Sequence, residues 1–293
     1  MLADDIVVTG NRAIARSYAK INLTLDVTGK RDDGYHNVEM IMQTVSLFDL
    51  IIIDKTSGEI GISTNLKYLP NNDKNIAYKA VKLFREETGI MGGAKIIIHK
   101  NIPVAAGLAG GSGNAAAVLC ALNLLYNTNL SAEKLCKMGA KLGADVPYCI
   151  MGGTYSASGI GDILEPLESA PKAHILLVKP PISVSTQAIY AEMDAVQITN
   201  RPDTAAMKAA LQSGNLQAVA DNLCNVMEAV TQAQYPEIRG IKAKMLKNGA
   251  LGAVMSGSGP TVFGIFDDYK KAKASADSFS FQYKDVYVAR IYG

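Results

Sequence analysis

The chain has 293 residues and a mass of 31.1 kDa, which predicts one large or two ordinary domains at roughly 100–200 residues per domain. Lys and Arg number 29 and Asp and Glu number 27, so the formal net charge is only +2. This balance argues against a nucleic-acid partner, and no basic tract marks a membrane-binding surface. Hydrophobic residues make up 48% of the chain and Trp is absent, which favours an ordinary globular core over an aromatic platform for single-stranded nucleic acid.

The cysteines and the N-terminus indicate a reducing compartment. The four cysteines form no CxxC pair and are too few for a disulfide framework, so we expect free, mostly buried thiols. Acidic residues stand near the N-terminus where a secretion signal needs basic ones, and no apolar run is long enough to cross a membrane. We therefore expect a cytoplasmic protein without a membrane partner, and the sequence leaves the oligomeric state open.

Hydrophobic periodicity predicts mainly strands in the first third of the chain, followed by a mixture of helices and strands. Asn75 and Ser131 stand where helix N-caps are expected, because their side chains can accept a hydrogen bond from a first-turn N–H. The predicted elements of this half are strands at 17–25 and 38–53, a helix at 75–87, a strand at 95–99, helices at 115–126 and 131–142, and two short strands before Pro166.

The second half mixes strands and helices without a regular βαβ alternation, which predicts the α+β class. We place a domain boundary near residue 160, giving domains 1–160 and 161–293. The predicted elements are a strand at 174–179, a helix at 183–195, helices at 204–232 and 236–248, two strands around a glycine loop within 253–266, a helix at 268–278 and a strand at 284–291.

A glycine-rich loop opens a helix inside residues 101–132, a stretch without a single charged side chain. Such a loop presents backbone N–H groups and the positive end of a helix dipole, and both favour a bound phosphate. The alternative is a small-residue helix start packed against a neighbouring element. A Walker loop and the protein-kinase signatures are absent, and the GxGxxA match at 111–116 lacks the second parallel strand of a dinucleotide site.

Three further features stand out. Residues 256–260 (SGSGP) form a second small-residue loop, whose alternative is a simple hairpin turn. Lys20 is the sole charge within residues 17–25, and it could otherwise be a surface lysine with its stem along apolar neighbours. Asp145 follows a predicted helix in an apolar segment, where a lone Asp is usually a cap or turn residue.

Together these motifs resemble the GHMP small-molecule kinases. PVAAGLAGGSGNAAA (103–117) is similar to their phosphate loop, and SGSGPTVFG (256–264) is similar to their C-terminal glycine motif. SYAKINLTLDVTGKRDDGYHNVEMIMQTVSLFD (17–49) and GADVPYCIMGGT (143–154) resemble the branch that phosphorylates 4-diphosphocytidyl-2-C-methyl-D-erythritol. Asn225-x-x-Glu228 and Pro236-Glu237-Ile238 are weaker matches in the expected order.

The resemblance implies a fold and a reaction. It implies an N-terminal domain like domain 2 of ribosomal protein S5, a C-terminal GHMP domain and an active site in the interdomain cleft. It also implies transfer of the γ-phosphoryl group of ATP, with Mg²⁺, to the 2-hydroxyl of the cytidyl substrate in non-mevalonate isoprenoid precursor synthesis. The implied partners are therefore two small molecules, ATP and the cytidyl diphosphate of methylerythritol.

The resemblance also implies residue roles. Lys20 matches the catalytic lysine, and Asp145 matches the proposed base, which would accept the proton of the hydroxyl. Lys20 would keep the Asp145 carboxylate ionised and offset the negative charge of the phosphoryl group. Asn22, Tyr35 and His36 match substrate-binding positions, with Tyr35 stacking on the cytosine and His36 hydrogen-bonding to it; Tyr190 is a looser match for the opposite face. The implied phosphate-binding residues are Pro103, Val104, Ala105, Ala106, Gly107, Leu108, Ala109, Gly110, Gly111, Ser112 and Gly113.

Two points stay open. Gly113 stands where the family more often has a second Ser, so a hydroxyl contact there is not implied, and no carboxylate besides Asp145 stands out as a Mg²⁺ ligand. The alternatives are a homoserine, mevalonate or sugar kinase, whose acceptors have no base for Tyr35 and His36, and a non-catalytic protein with the same fold, which would be free to lose Lys20 or Asp145.

Overall fold

A computed structural model describes residues 5–293 of the chain. Residues 1–4, part of the segment in which we expect no secretion signal, lie outside the described residues. From residue 5 onward, the structure contains no helix that is both long and apolar enough to span a membrane.

Helices and strands are mixed along the chain, which confirms the α+β class. In order, they are β1 (Ile6–Thr9), β2 (Arg12–Lys30), β3 (His36–Thr56), β4 (Ile60–Thr64), α1 (Ile76–Thr88), β5 (Gly93–His99), α2 (Gly110–Leu125), α3 (Ala132–Ala140), α4 (Asp145–Met151), β6 (Thr154–Ser158), β7 (Ile163–Pro166), β8 (His174–Lys179), α5 (Thr186–Met193), α6 (Thr204–Gln212), α7 (Leu216–Asp221), β9 (Cys224–Asn225), α8 (Glu228–Gln234), α9 (Glu237–Lys247), β10 (Gly252–Met255), β11 (Val262–Phe266), α10 (Tyr269–Ser280) and β12 (Asp285–Arg290).

The chain divides into two compact units, and β2 and β3 each run through both. The first unit contains residues 5–19, Phe48–Val104 and Ala109–Gly152. In it, β1 pairs with the start of β2, the end of β3 pairs antiparallel with β5, and β4 pairs parallel with β5. Helix α2 packs against α1 and α4, and it is apolar on nearly every side because it is a central element of this unit's core.

The second unit contains Lys20–Leu47, Ala105–Leu108 and Gly153–Gly293. Here the start of β3 pairs with β6, β6 pairs with β7, and β2 pairs parallel with the short β9. A separate antiparallel sheet has the strand order β10-β11-β8-β12, and α9 and α10 pack against its strands. Strand β11 (VFGIF) is buried at every position, as expected for an interior strand covered on its faces.

Most predicted elements are confirmed with shifts of a few residues at their ends. The two helix caps are also confirmed: the Asn75 side chain accepts from the N–H of Ala77 at 3.0 Å, and the Ser131 hydroxyl accepts from the N–H of Lys134 at 3.2 Å. The strand predicted at 174–179 has those bounds in the structure.

The long helical prediction over 204–232 is wrong. The structure has three helices there, α6, α7 and α8, with the two-residue strand β9 between the last two. Gly214 has a φ of +65°, and Asn215 then caps α7 by accepting from the N–H of Ala218 at 3.1 Å. A left-handed glycine followed by an Asn cap is a helix stop and a new start, and the apolar periodicity on either side concealed it.

Besides β9, three of the described elements have no counterpart in the sequence prediction, namely β1, β4 and α4. Helix α2 also starts at Gly110, five residues before the predicted helix, because its first turn is built from small residues that carry no periodic signal. Helix α4 has only seven residues and includes Pro147, which is tolerated in a first turn where an N–H has no helical acceptor.

Candidate active site

The candidate phosphate loop spans residues 103–113 and leads into the first turn of α2. Ala105, Gly107 and Ala109 have positive φ values of 51°, 73° and 55°, a region that is costly for alanine. Ala109 is the N-cap of α2 and has no side-chain hydrogen bond to the first turn. The first N–H groups of a helix have no acceptor within it, and with the helix dipole they favour an anion. The loop therefore combines strained backbone with donors suited to phosphate.

Gly107 lies against the second glycine loop, residues 256–260. A Cβ at Gly107 would stand 2.2 Å from the carbonyl oxygen of Ser256, so a larger residue would force the backbone apart. The Ser256 hydroxyl donates to the carbonyl oxygen of Gly107 at 3.0 Å. The two glycine motifs, 149 residues apart in sequence, are thus in direct contact.

Lys20 is only 4% exposed, so the alternative of a surface lysine is wrong. Its backbone N–H donates to the carbonyl oxygen of Leu108 in the phosphate loop at 3.2 Å. Its Nζ donates to Oδ1 of Asn22 at 2.7 Å, and the same oxygen accepts from the N–H of Gly257 at 3.0 Å. Asn22 is fully buried and therefore fixes the Lys20 ammonium relative to the second glycine loop.

Asn225 and Glu228, the weak sequence match, form hydrogen bonds with the second glycine loop and with the residue before it. The Asn225 amide donates to the carbonyl oxygens of Met255 and Gly257, each at 2.8 Å. A carboxylate oxygen of Glu228 accepts from the N–H of Met255 at 2.8 Å, and the other pairs with Lys242 at 2.5 Å. Asn225 and Glu228 thus both contact Met255, the last residue of the strand that leads into the loop.

Asp145 is the first residue of α4, half-buried, rather than a turn residue after α3. A carboxylate in a first helical turn is stabilised by the helix dipole. Helix α4 packs against α2, and a Cβ at Gly143 would lie 4.0 Å from the hydroxyl oxygen of Ser112. The segment that carries Asp145 is therefore next to the first turn of α2.

The departure at Gly113 has a local physical reason. A Cβ at this position would lie 2.6 Å from the hydroxyl oxygen of Ser17 and 3.3 Å from the carbonyl oxygen of Tyr18. Ser17 is fully buried and accepts a hydrogen bond from the Asn114 amide at 3.2 Å, which holds it in place. In this chain the space for a second loop serine is taken by Ser17.

The residues expected to bind the base lie at the turn between β2 and β3 and on α5. His36 and Tyr190 stack, with ring centroids 4.9 Å apart and planes 19° from parallel. Tyr35 is 62% exposed. Its N–H donates to the Asp33 carboxylate at 3.1 Å within the turn. The structure thus brings His36 together with Tyr190 and leaves the Tyr35 ring largely in solvent.

Sequence reasoning missed a buried ionic cluster beside the phosphate loop. Asp49 and Lys100 form an ion pair with side chains 0% and 5% exposed. Asn114 donates to Asp49 at 2.8 Å and accepts from Lys100 at 3.2 Å. The available signal was the position of Lys100, the last charge before the uncharged stretch.

The described residues 5–293 hold no cluster of three or more His, Cys, Asp and Glu side chains placed to bind a metal ion. Lys20 and Asp145, expected to act together, belong to different compact units.

Comparison with known proteins decides the family. Residues 75–153 match the family described as GHMP kinases N terminal domain, and residues 207–285 match GHMP kinases C terminal. A protein of Alkaliphilus metalliredigens (strain QYMF) named 4-diphosphocytidyl-2-C-methyl-D-erythritol kinase is 49% identical over 278 residues, 94% of this chain and 96% of its own. A Caldicellulosiruptor saccharolyticus protein of the same name is 50% identical over 93% of this chain and 94% of its own. The chain belongs to the 4-diphosphocytidyl-2-C-methyl-D-erythritol kinase family of GHMP kinases.

Solved structures agree with this family. A crystal structure of 4-(cytidine 5'-diphospho)-2C-methyl-D-erythritol kinase is similar with a TM-score of 0.82 and 30% identity, over 96% of this chain and 99% of that one. Homoserine kinase from Cytophaga hutchinsonii has a TM-score of 0.76 at 17% identity over 97% of this chain and 96% of its own, a likeness of fold alone. The resemblance inferred from the sequence motifs is confirmed, and with it the GHMP kinase fold.

Proposed function

We propose that the chain is an ATP-dependent kinase that phosphorylates the 2-hydroxyl of 4-diphosphocytidyl-2-C-methyl-D-erythritol, a step of non-mevalonate isoprenoid precursor synthesis. The observation that carries the proposal is about 50% identity over nine-tenths of the chain to relatives with that name. The contact between the two glycine motifs and the burial of Lys20 beside them support it.

The acceptor is a tertiary alcohol, which is a poor nucleophile, so the chemistry needs a group that takes its proton as the phosphorus–oxygen bond forms. We assign that role to the Asp145 carboxylate. The Lys20 ammonium, which Asn22 holds, would stabilise negative charge on the phosphoryl group during its transfer. Asn22 thereby acts on the reaction through Lys20 as well as at the substrate position expected from the family.

ATP binds through the phosphate loop in this proposal. Residues 103–113 would cradle its phosphates with backbone N–H groups, and the Ser112 hydroxyl is a further donor near the segment that carries Asp145. Mg²⁺ bound to those phosphates would neutralise their charge. The Ser112 hydroxyl is an oxygen ligand that fits a hard cation, whose remaining ligands would be phosphate and water oxygens.

Two alternatives make different predictions. A homoserine, mevalonate or sugar kinase shares the fold but would not need the stacked His36–Tyr190 pair. A non-catalytic relative would bind ATP without turnover. The cytoplasmic location, the absence of membrane and nucleic-acid partners, the interdomain cleft and the boundary near residue 160 remain predictions.

The test is ADP release from Mg-ATP with a panel of acceptors: the cytidyl diphosphate of methylerythritol, methylerythritol phosphate, mevalonate, homoserine and galactose. We expect turnover with the first alone. Turnover with another acceptor instead would identify that compound as the substrate. ATP binding without any turnover would favour the non-catalytic alternative.

A variant pair tests the proposed base. Asp145→Asn should lower kcat by about 10²–10⁴-fold, the range for removal of a general base, while ATP binding is largely kept. Asp277→Asn is the matched control, because this carboxylate lies in an exposed ion pair with Lys273 on α10. Near-normal kcat in Asp145→Asn would refute the assignment.

A further inference from the structure

The exposed carboxylate of Asp194 at the end of α5 reaches back to the turn between β2 and β3. Its Oδ1 lies 2.8 Å from Nε2 of His36, and its Oδ2 accepts from Nζ of Lys30 at 2.6 Å. Lys30 is the last residue of β2 and His36 the first of β3, so one carboxylate joins both ends of the turn. The hydrogen bonds from Lys30 and then from His36 hold the pKa of the Asp194 carboxyl below its usual value.

An ionised carboxylate only accepts hydrogen bonds, so the proton between the two side chains belongs to Nε2 of His36. A neutral imidazole has one donor nitrogen and one acceptor nitrogen, and the partner of one nitrogen fixes the role of the other. Nε2–H facing Asp194 therefore makes Nδ1 an acceptor. The Lys30 ammonium also donates to Asp194, so the carboxylate has two donor partners at the turn.

The ring is held in place as well as in tautomer. The side chain of His36 is 7% exposed, and Tyr190 stacks on one of its faces. Helix α5 supplies Tyr190, and Asp194 is its C-cap residue, so the stacking partner and the hydrogen-bond partner come from one rigid element. A fixed ring with a fixed acceptor can select between bases that differ in one hydrogen-bonding group.

We propose that Asp194 is a positioning residue for base selection: it holds His36 in the Nε2–H tautomer, so that Nδ1 accepts a hydrogen bond from the exocyclic amine of cytosine. The inference rests on the proposed function for the identity of the base. Cytosine carries an NH₂ donor where uracil carries a carbonyl oxygen, and an acceptor nitrogen facing that carbonyl would leave both lone pairs without a proton. Asp194 thus favours cytidyl over uridyl acceptors through His36.

Asp194→Asn gives a sharp test, because Lys30 decides how the new amide orients. The ammonium requires the amide oxygen, which turns the amide NH₂ toward Nε2 of His36. Nε2 must then accept, and the proton moves to Nδ1. The variant should therefore reverse the tautomer while it keeps the size and position of the side chain.

Nitrogen-15 NMR of the imidazole reads the tautomer directly. The chain has three histidines, and His36→Gln identifies the resonances of His36 by their loss. We expect Nε2 protonated and Nδ1 unprotonated in the parent, and the reverse in Asp194→Asn. A proton on Nδ1 of the parent ring, or a His36 spectrum unchanged by Asp194→Asn, would overturn the proposal.

Base selection is measured by kinetics and by binding, with the cytidyl acceptor compared to its uridyl analogue. In Asp194→Asn the cytidyl-over-uridyl ratio of kcat/KM should fall about tenfold, the worth of one hydrogen bond, through the acceptor KM and not through kcat or the ATP KM. Asp277→Asn should leave the ratio unchanged. An equal loss for both acceptors would overturn the role in selection.

The two proposals fail separately. If the parent turns over no cytidyl acceptor, the proposed function is wrong, and the NMR experiment still decides whether Asp194 sets the tautomer. Equilibrium binding of the two acceptors without ATP then decides selection: a cytidyl preference lost in Asp194→Asn supports it, and equal affinities in the parent contradict it.

Discussion

Replacing Asp49 by Asn tests whether the buried ionic cluster holds both ends of the phosphate loop. Oδ1 of Asp49 accepts from the N–H groups of Asn101 and Ile102, at 2.8 and 2.9 Å, just before the loop begins. Oδ2 accepts from Nζ of Lys100 and from the amide of Asn114 in the first turns of α2, the latter at 2.8 Å. A single carboxylate thus ties the entry of the loop to its exit.

The carboxamide of Asp49→Asn has one acceptor oxygen, so it can accept hydrogen bonds from only one of the two pairs of donors that Asp49 binds. If its oxygen stays with the two backbone N–H groups, its NH₂ faces the Lys100 ammonium and the Asn114 amide, two donors that need an acceptor. Asp49 is 0% exposed, so water cannot replace the lost oxygen. Removing one partner of a buried ion pair costs about 3–5 kcal/mol because a charge is left unpaired. That cost is a large part of the free energy of unfolding of a typical domain, which is about 5–15 kcal/mol.

Urea denaturation measures this cost as a fall in the free energy of unfolding at an unchanged m-value. The matched control is again Asp277→Asn, whose exposed pair with Lys273 should contribute less than about 1 kcal/mol. Where Asp49→Asn remains folded, the ATP KM should rise and the acceptor KM should not. A loss of stability below about 1 kcal/mol, or equal changes in both KM values, would refute the reasoning.

Two further predictions concern pH and glycine. Hydrogen bonds from Lys134 and Lys141 lower the pKa of Glu87 from 4.5 to about 2, so this carboxylate stabilises the fold above pH 4.5 and loses that effect as the pH falls toward 2. Urea denaturation should show the parent's advantage over Glu87→Gln shrinking in that window; a constant difference would contradict it. Gly240 lies in an exposed part of α9 with open space for a Cβ, so Gly240→Ala should raise the free energy of unfolding by about 0.5–1 kcal/mol. Gly107→Ala should lower it, because a Cβ there would collide with the backbone of Ser256. Thermal unfolding that ranks the two variants in the opposite order would contradict this prediction.

The sequence predicts elements whose signal is local. The helix caps at Asn75 and Ser131 and the buried strand β8 were identified because their chemistry is complete within a few residues. Strand β1 escaped prediction because three of its four side chains are exposed, so no alternation marks it. It is held by backbone pairing to β2, which composition does not reveal.

The candidate site divides in the same way. The phosphate loop and the GADVP segment are continuous motifs, and the sequence alone singles them out together with Lys20. The partners that orient these residues are remote: Asp194 is 158 residues from His36, and Asp49 is 51 residues from Lys100. Such pairs are set by how strands β2, β3 and β5 and helix α5 place their ends, and nothing in the local sequence specifies them.

Buried asparagines contact the second glycine loop directly, and another stands just after the phosphate loop. Asn22 accepts from Lys20 and from Gly257, while Asn225 donates to two carbonyl oxygens of the second loop and accepts from the N–H of Met227 at 3.0 Å. Asn114 donates and accepts within the Asp49 cluster. An amide offers donors and acceptors on one planar group, so it can satisfy opposed backbone groups at once. It also adds no negative charge where phosphate oxygens would bind, since a carboxylate in its place would repel them. We therefore expect the neutral amides to order the loops, while the backbone N–H groups and Lys20 would supply the preference for anions.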